Sequence, residues 1–102
     1  MTMSTSDFAT HMAEDRRLVY LRVLLESAAY TTNEFLLQSM LERFGHVVSF
    51  DRVHTDLAWL AEQGLVSVEV VADVHIAKLL GRGEDVARGR VTVPGVKRPR
   101  AG

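Results

Sequence analysis

The chain contains no cysteine and only two prolines among its 102 residues. Without thiols it can form no disulfide, no thiolate metal site and no cysteine nucleophile. No apolar stretch approaches the roughly 20 residues that span a bilayer, and the polar N-terminal residues lack the charged and apolar regions of a signal peptide. We therefore expect a cytoplasmic protein that makes no contact with membranes.

The motifs of common enzymes are also missing. Gly81 and Gly83 form a lone pair outside the strand and helix context of a phosphate-binding loop. No serine, histidine and aspartate show the arrangement of a nucleophile with its oriented base. Four histidines are present, His11, His46, His54 and His75. They show no i, i+4 pairing typical of metal ligands, so we expect no catalytic site, no metal and no cofactor.

The composition is that of an ordinary globular domain. Hydrophobic residues make up 47% of the chain and charged residues 25%, a balance that excludes general disorder. A chain of this length fits one domain. Its core is modest, so a partner subunit would bury useful additional surface.

The near-neutral net charge of −1 hides an uneven distribution. From Met1 to Ala77 there are five arginines and eleven acidic residues, whereas from Lys78 to Gly102 there are seven basic and two acidic residues. Positive charge is therefore concentrated near the C-terminus, where it can meet a polyanion.

Three helices are predicted in the first two thirds of the chain. The first runs from about Asp7 to Ala28, with Ser6 as its N-cap. Its apolar positions at helical spacing are Phe8, Met12, Leu18, Leu21, Leu24, Leu25 and Ala28. Polar residues interrupt this stripe early, so the first turns extend beyond the core, either as a dimerisation element or as a solvated N-terminus.

The second helix is predicted to start at a capping box, Thr31 to Glu34, and to stop at Gly45. Its expected apolar face comprises Phe35, Leu36, Met40, Leu41 and Phe44.

The third helix follows after a short turn, with Ser49 as its N-cap and Gly64 as its C-terminal stop. Val53, Leu57 and Leu60 recur at i, i+4 and i+7 and are expected to face the core. A tight link between the second and third helices is typical of a helix-turn-helix.

Two valine-rich runs after the helices, 65–71 and 74–80, predict a β-hairpin whose turn contains Ala72 and Asp73. Residues 84–88 are long enough for one short helix. The fold class is therefore α+β, mainly α: a winged helix-turn-helix over residues 1–89, with an exposed basic C-terminal arm over 90–102.

Several segments resemble known proteins. Residues 56–66 are similar to the end of the recognition helix and the start of the wing in many bacterial regulators, and residues 81–89 resemble the way such wings close into a short final helix. Over roughly residues 13–100, including 13–18 and 95–100, the chain resembles small proteins encoded by Mu-like phages and prophages, often labelled ArsR-like transcriptional regulators. The resemblance implies a winged helix that binds DNA, although the cysteines of metal-sensing ArsR relatives are absent.

In a winged helix the third helix enters the major groove and the wing contacts the backbone. The outward positions expected here are Phe50, Asp51, Arg52, Thr55, Asp56, Trp59 and Glu62. Arg52 is the best candidate for reading guanine, and Ser49 and Thr55 for contacting phosphate. The remaining cations expected to contact double-stranded DNA are Lys78, Arg82, Arg88, Arg90, Lys97, Arg98 and Arg100. The alternative for this cluster is a solvated tail that keeps the protein soluble.

Three acidic residues on the third helix oppose this hypothesis, because a carboxylate facing phosphate weakens binding. The alternative is a protein-interaction adaptor, such as an accessory in phage packaging or morphogenesis, in which the third helix faces a protein. For the DNA-binding hypothesis we expect a homodimer formed through the first helix, so that two recognition helices meet half-sites about one turn apart.

Overall fold

The computed structural model describes residues 4–100. This part of the chain is α+β and mainly helical, with four α-helices and one three-stranded antiparallel sheet. A single 3₁₀ turn, Ala28–Tyr30, follows the first helix. The elements in order are α1 (Thr5–Glu26), β1 (Thr31–Asn33), α2 (Glu34–Arg43), α3 (Phe50–Glu62), β2 (Val66–Val71), β3 (Val74–Leu79) and α4 (Gly81–Ala87). This order is consistent with a winged-helix-like arrangement.

The first helix begins two residues earlier than predicted. Ser4, not Ser6, is its N-cap and accepts a hydrogen bond from the backbone N–H of Asp7. Its second half carries the buried face, Leu18, Val19, Tyr20, Leu21, Val23 and Leu24. The placement of Phe8 on this face was wrong: the residue is 57% exposed, because the first turns of α1 extend past the elements that cover the core.

The predicted capping box at the start of α2 was also wrong. Thr31 and Thr32 instead lie in β1, where they pair with Lys78 and Ala77 of β3. Asn33 is the N-cap and accepts from the backbone N–H of Leu36 at 2.9 Å. β-Branched threonines favour the strand, and asparagine is among the best N-caps. Glu34 is thereby left without a capping role.

The buried face of α2 differs from the predicted one. Leu37 and Leu41 are fully buried, whereas Phe35, Leu36 and Phe44 are about half exposed. Leu37 and Leu41 are one turn apart and occupy the face that meets the core. The apolar residues of the neighbouring face therefore remain on the surface.

The predicted N-cap, C-terminal stop and buried stripe of α3 are confirmed. Ser49 caps the helix by accepting from the N–H of Arg52, and Gly64 has a φ of +73° just after the helix end. Val53, Leu57 and Leu60 are fully buried.

The hairpin is confirmed, and its register is now defined. The sheet order is β1-β3-β2, with Val71 opposite Val74 at a two-residue turn. Ala72 and Asp73 both have positive φ, which matches the right-handed twist of the strands. Ala77 and Leu79 face the core and Lys78 is exposed between them, because side chains alternate along a strand.

The C-terminal residues pack on α1. Val93 and Val96 are 2% and 6% exposed, and the backbone N–H of Lys97 donates to the carbonyl of Glu14. Residues 101 and 102 of the predicted exposed arm lie outside the described part of the chain; the rest of the arm, 90–100, is exposed only in part. Among the described helices, none combines the length and apolar character needed to cross a membrane.

Candidate nucleic-acid interface

The N-terminal half of α3 presents polar side chains to solvent. Ser49, Arg52 and Thr55 are all exposed. Arg52 and Thr55 are three residues apart and so are neighbours on the helix surface. The Thr55 hydroxyl donates to the carbonyl of Asp51 at 3.0 Å, so it must rotate before it can donate to another acceptor. The structure thus brings these three predicted residues together.

Asp56 does not face solvent, and this prediction was wrong. It is 2% exposed, and its carboxylate accepts two hydrogen bonds from Arg16 and one from Tyr20. Burial and the adjacent Asp56 charge raise the pKa of Tyr20 well above its ordinary value. The hydrogen bonds with Asp56 raise the pKa of Arg16. One of the three acidic charges on α3 is therefore neutralised inside the protein.

Trp59 is half-buried instead of fully outward. The guanidinium of Arg17 lies 4.1 Å from the centre of its ring, a cation–π contact. Arg17 also donates to the carbonyl of Gly95 at 2.9 Å. Burial is the main factor lowering the pKa of Arg17; Asp56 opposes that shift, and the positive charges of Arg16 and Arg52 add to it. Arg17 and Arg52 therefore lie close enough at the edge between α1 and α3 for their charges to interact.

The hairpin contributes little positive charge to this surface. Lys78 is exposed on the sheet face opposite the core. The turn residues Ala72 and Asp73 offer no cation. Arg82 is exposed on α4. The structure does not bring Lys78 or Arg82 onto the face of α3.

The C-terminal cations are divided between ion pairs and an exposed rim. Arg88 pairs with Glu84 at 2.8 Å, and that hydrogen bond raises its pKa. Two further pairs are weaker, Arg90 with Asp85 at 3.3 Å and Lys97 with Asp15 at 3.2 Å. Arg98 and Arg100 are exposed.

These C-terminal residues border a groove between α1 and α2. The groove has a volume of about 1250 Å³, and one wall is lined by Leu36 and Met40 of α2 and by its C-cap residue Phe44. These three residues are spaced four apart and so lie on one helix face. Arg88, Arg90, Arg98 and Arg100 form its basic border.

A cluster that the sequence reasoning missed joins three elements. Glu34 at the start of α2, His54 of α3 and His75 of β3 have ligand atoms within 4.8 Å of one another. The two imidazoles are stacked, with ring centres 3.8 Å apart, and His54 Nε2 is hydrogen-bonded to Glu34 Oε2. Burial alone would raise the pKa of Glu34, but interactions with His54 and His75 outweigh burial and lower it.

No sequence signal would have found this cluster, because its members come from separate elements and share no local spacing. Only β1–β3 pairing and packing of the hairpin against α3 bring them together.

Comparison with known proteins links the chain to bacteriophages. No family model and no solved structure matches it. Over 89 residues it is 49% identical to the uncharacterized protein gp26 of Escherichia phage Mu, covering 87% of this chain and 92% of gp26. It is also 46% identical over 69 residues to an uncharacterized protein of Haemophilus influenzae, covering 68% of this chain and 67% of that protein. The chain belongs to the same family of small proteins as gp26 of phage Mu.

Proposed function

We propose that the protein is a winged-helix DNA-binding protein of phage or prophage origin that acts as a transcriptional regulator. In this proposal α2 and α3 form the helix-turn-helix, and the β2–β3 hairpin is the wing. The N-terminal half of α3 enters the major groove, where Arg52 reads a base. The Ser49 hydroxyl, which only accepts within the chain, donates to a phosphate oxygen, and the Thr55 hydroxyl does so by turning away from the carbonyl of Asp51.

The observation that carries the proposal is the burial of Asp56. An exposed carboxylate at this position would lie beside Arg52 and repel phosphate. Instead, Arg16 and Tyr20 hold it inside the protein. Asp51 and Glu62 remain exposed, but Glu62 is the last residue of α3 and so lies about 15 Å from Arg52 along the helix, at 1.5 Å per residue.

The affinity for DNA must come mainly from basic residues outside the hairpin turn. The turn carries Asp73 but no basic residue, so we expect only a small contribution from its tip. Arg17 lies near Arg52, and Arg98 and Arg100 are exposed at the end of the docked C-terminal segment. Arginine side chains suit the narrow minor groove of A·T-rich DNA, and we assign that role to Arg98 and Arg100.

The proposal includes a homodimer formed through α1. The N-terminal turns of α1 are exposed and carry Phe8. A second copy of α1 packed there would bury this ring and place two α3 helices on one face of the duplex.

The experiment is a gel-shift assay with fragments of the genome that encodes the protein, at 50 and 200 mM salt. We compare wild type, Arg52→Ala and the double variant Arg98→Ala/Arg100→Ala. The proposal expects binding to selected fragments that depends on Arg52 and a salt slope that the double variant reduces. Binding that is indifferent to Arg52 would contradict base reading by α3.

A second candidate function is that of a protein-interaction adaptor, and the exposed apolar residues of α2 favour it. Phe35 and Phe44 are 51% and 60% exposed, Leu36 is 48% exposed, and Val47 in the following turn is 82% exposed. Apolar side chains gathered on a surface are typical of protein contacts. The basic border of the α1–α2 groove suits an acidic partner segment.

The adaptor function is tested by co-purification from phage-producing cells, with a Leu36→Ser/Phe44→Ser variant as the comparison. If the protein is an adaptor, we expect a phage or host protein to co-purify with the wild type in a defined ratio and not with the variant. We also expect no gel shift with DNA. A partner bound equally by both would contradict use of this surface.

A further inference from the structure

The Glu34, His54 and His75 cluster has the donor set of a transition-metal site. Imidazole nitrogens and a carboxylate oxygen are ligands that Zn²⁺ accepts together, and two histidines with one glutamate form a known three-ligand zinc set. Calcium and magnesium are bound mostly by oxygen atoms. The chemistry of these three side chains therefore favours an ion of the zinc class.

The spacing of the donor atoms fits one ion. Ligands 2.0–2.2 Å from a tetrahedral zinc ion are about 3.3–3.6 Å apart from each other. His75 Nδ1 lies 3.1 Å from Glu34 Oε2. All three donor atoms lie within 4.8 Å of one another. Because the two rings are stacked, one imidazole must turn out of the stack for both in-plane lone pairs to point at one ion.

Two features of the cluster favour a bound cation. The Glu34 side chain is only 7% exposed, so its charge depends on the partners around it, of which His54 is one. His75 Nδ1 is buried and has no hydrogen-bond partner within the described chain, although it lies beside that carboxylate. A bound cation would compensate the charge and occupy the unpaired nitrogen.

The cluster is also accessible from solvent. The side chains of His54 and His75 are 34% and 27% exposed. An ion can therefore enter, and a water molecule can complete the coordination, as it does at zinc sites with three protein ligands.

We propose that Glu34, His54 and His75 form a binding site for one Zn²⁺-class ion. The ion joins the start of α2, the middle of α3 and the inner face of β3. It thereby fixes α3 relative to the hairpin and stabilises the folded chain. This site is independent of whether the protein binds DNA.

The test is calorimetric titration of the chelator-treated full-length protein with zinc chloride, combined with thermal unfolding. We expect one ion per chain and a higher Tm with zinc. His75→Ala and His54→Ala should each weaken binding by more than the roughly 10- to 100-fold lost with an outer hydrogen-bonding partner of a ligand.

The matched control is His11→Ala, because His11 is exposed on α1, with its side chain 66% exposed near Glu14, and is remote from the cluster. Affinity equal to wild type is expected. Glu34→Gln keeps the side-chain shape but removes the charge and should also lose zinc; the Tm of each zinc-free variant verifies folding. No zinc binding by the wild type, or binding lost only in His11→Ala, would overturn the proposal.

Discussion

Arg16 donates two hydrogen bonds to Asp56, from Nε to Oδ2 at 2.6 Å and from Nη2 to Oδ1 at 3.1 Å. The pair joins α1 to α3, and the Tyr20 hydroxyl donates to the same carboxylate at 2.9 Å. The side chains of Arg16 and Asp56 are 11% and 3% exposed. This contact fixes which face of α3 is presented to solvent.

We predict that Asp56→Asn destabilises the protein by about 3–5 kcal/mol, because it leaves the Arg16 charge buried without its partner. The matched control is Glu62→Gln, an exposed position on the same helix, where we expect a change within about 0.5 kcal/mol. Urea unfolding of both variants measures this difference. Equal losses in the two variants would show that the ion pair does not stabilise the fold.

Gly95 and Trp59 provide a second prediction. A Cβ on Gly95 would lie 2.7 Å from Trp59 Cζ2, and the backbone has a φ of +96°. We therefore expect Gly95→Ala to displace the C-terminal segment from the indole and to cost about 1–3 kcal/mol.

The chain's single tryptophan reports on this contact directly. Gly95→Ala should shift its fluorescence emission to longer wavelength, because the ring becomes more hydrated. Gly81→Ala is the control, since a Cβ there meets nothing within 4 Å. If the two variants have the same emission spectrum as wild type, the C-terminal segment does not pack on Trp59 as described.

The Asp15 carboxyl group should make the stability of the fold depend on pH. Burial raises its pKa, but hydrogen bonds with His46 and Lys97 outweigh burial and lower it. A carboxyl group with a lowered folded-state pKa stabilises the protein above its unfolded value, near 3.9, and this stabilisation is lost as the pH falls through the lower folded value.

We therefore expect the free energy of unfolding to decrease from pH 5 to pH 2.5 more steeply in wild type than in Asp15→Asn. Urea midpoints at several pH values provide the measurement. Asp73→Asn, at the exposed hairpin turn, should keep the wild-type slope. A slope in Asp15→Asn as steep as in wild type would rule out this contribution.

The features of the fold that could be predicted depend on interactions between residues close together in the sequence. The Ser49 cap, the Gly64 stop and the 53–57–60 stripe depend on local backbone geometry and helical spacing. The three-residue strand β1 was missed because its stability depends on pairing with β3, far along the chain. The exposed face of α2 was misassigned because its apolar residues are spread over two faces.

The candidate interface was predicted only in part. Asp56 lies three residues after Val53 and one before Leu57, so its position on the buried face was visible in the spacing; its partner Arg16, 40 residues earlier, was not. Lys78 and Arg82 were expected from their charge to contact the same DNA as α3, whereas Lys78 lies on the outer face of the sheet and Arg82 on α4. The Glu34, His54 and His75 cluster has no local pattern at all.

The most direct test of the account is the dissociation constant for a selected DNA fragment, measured by fluorescence anisotropy for wild type, Arg52→Ala, Arg52→Lys and Arg43→Ala. Arg43 is an exposed arginine at the end of α2 and controls for lost charge. The account predicts that Arg52→Ala weakens binding about 10-fold or more, which corresponds to 1.4 kcal/mol.

Arg52→Lys should keep much of the non-specific affinity but lose preference for the selected fragment, because lysine lacks the planar fork that matches guanine. Arg43→Ala should change affinity much less than Arg52→Ala. Equal dissociation constants for Arg52→Ala and Arg43→Ala, or no binding by the wild type, would contradict the claim that α3 reads DNA.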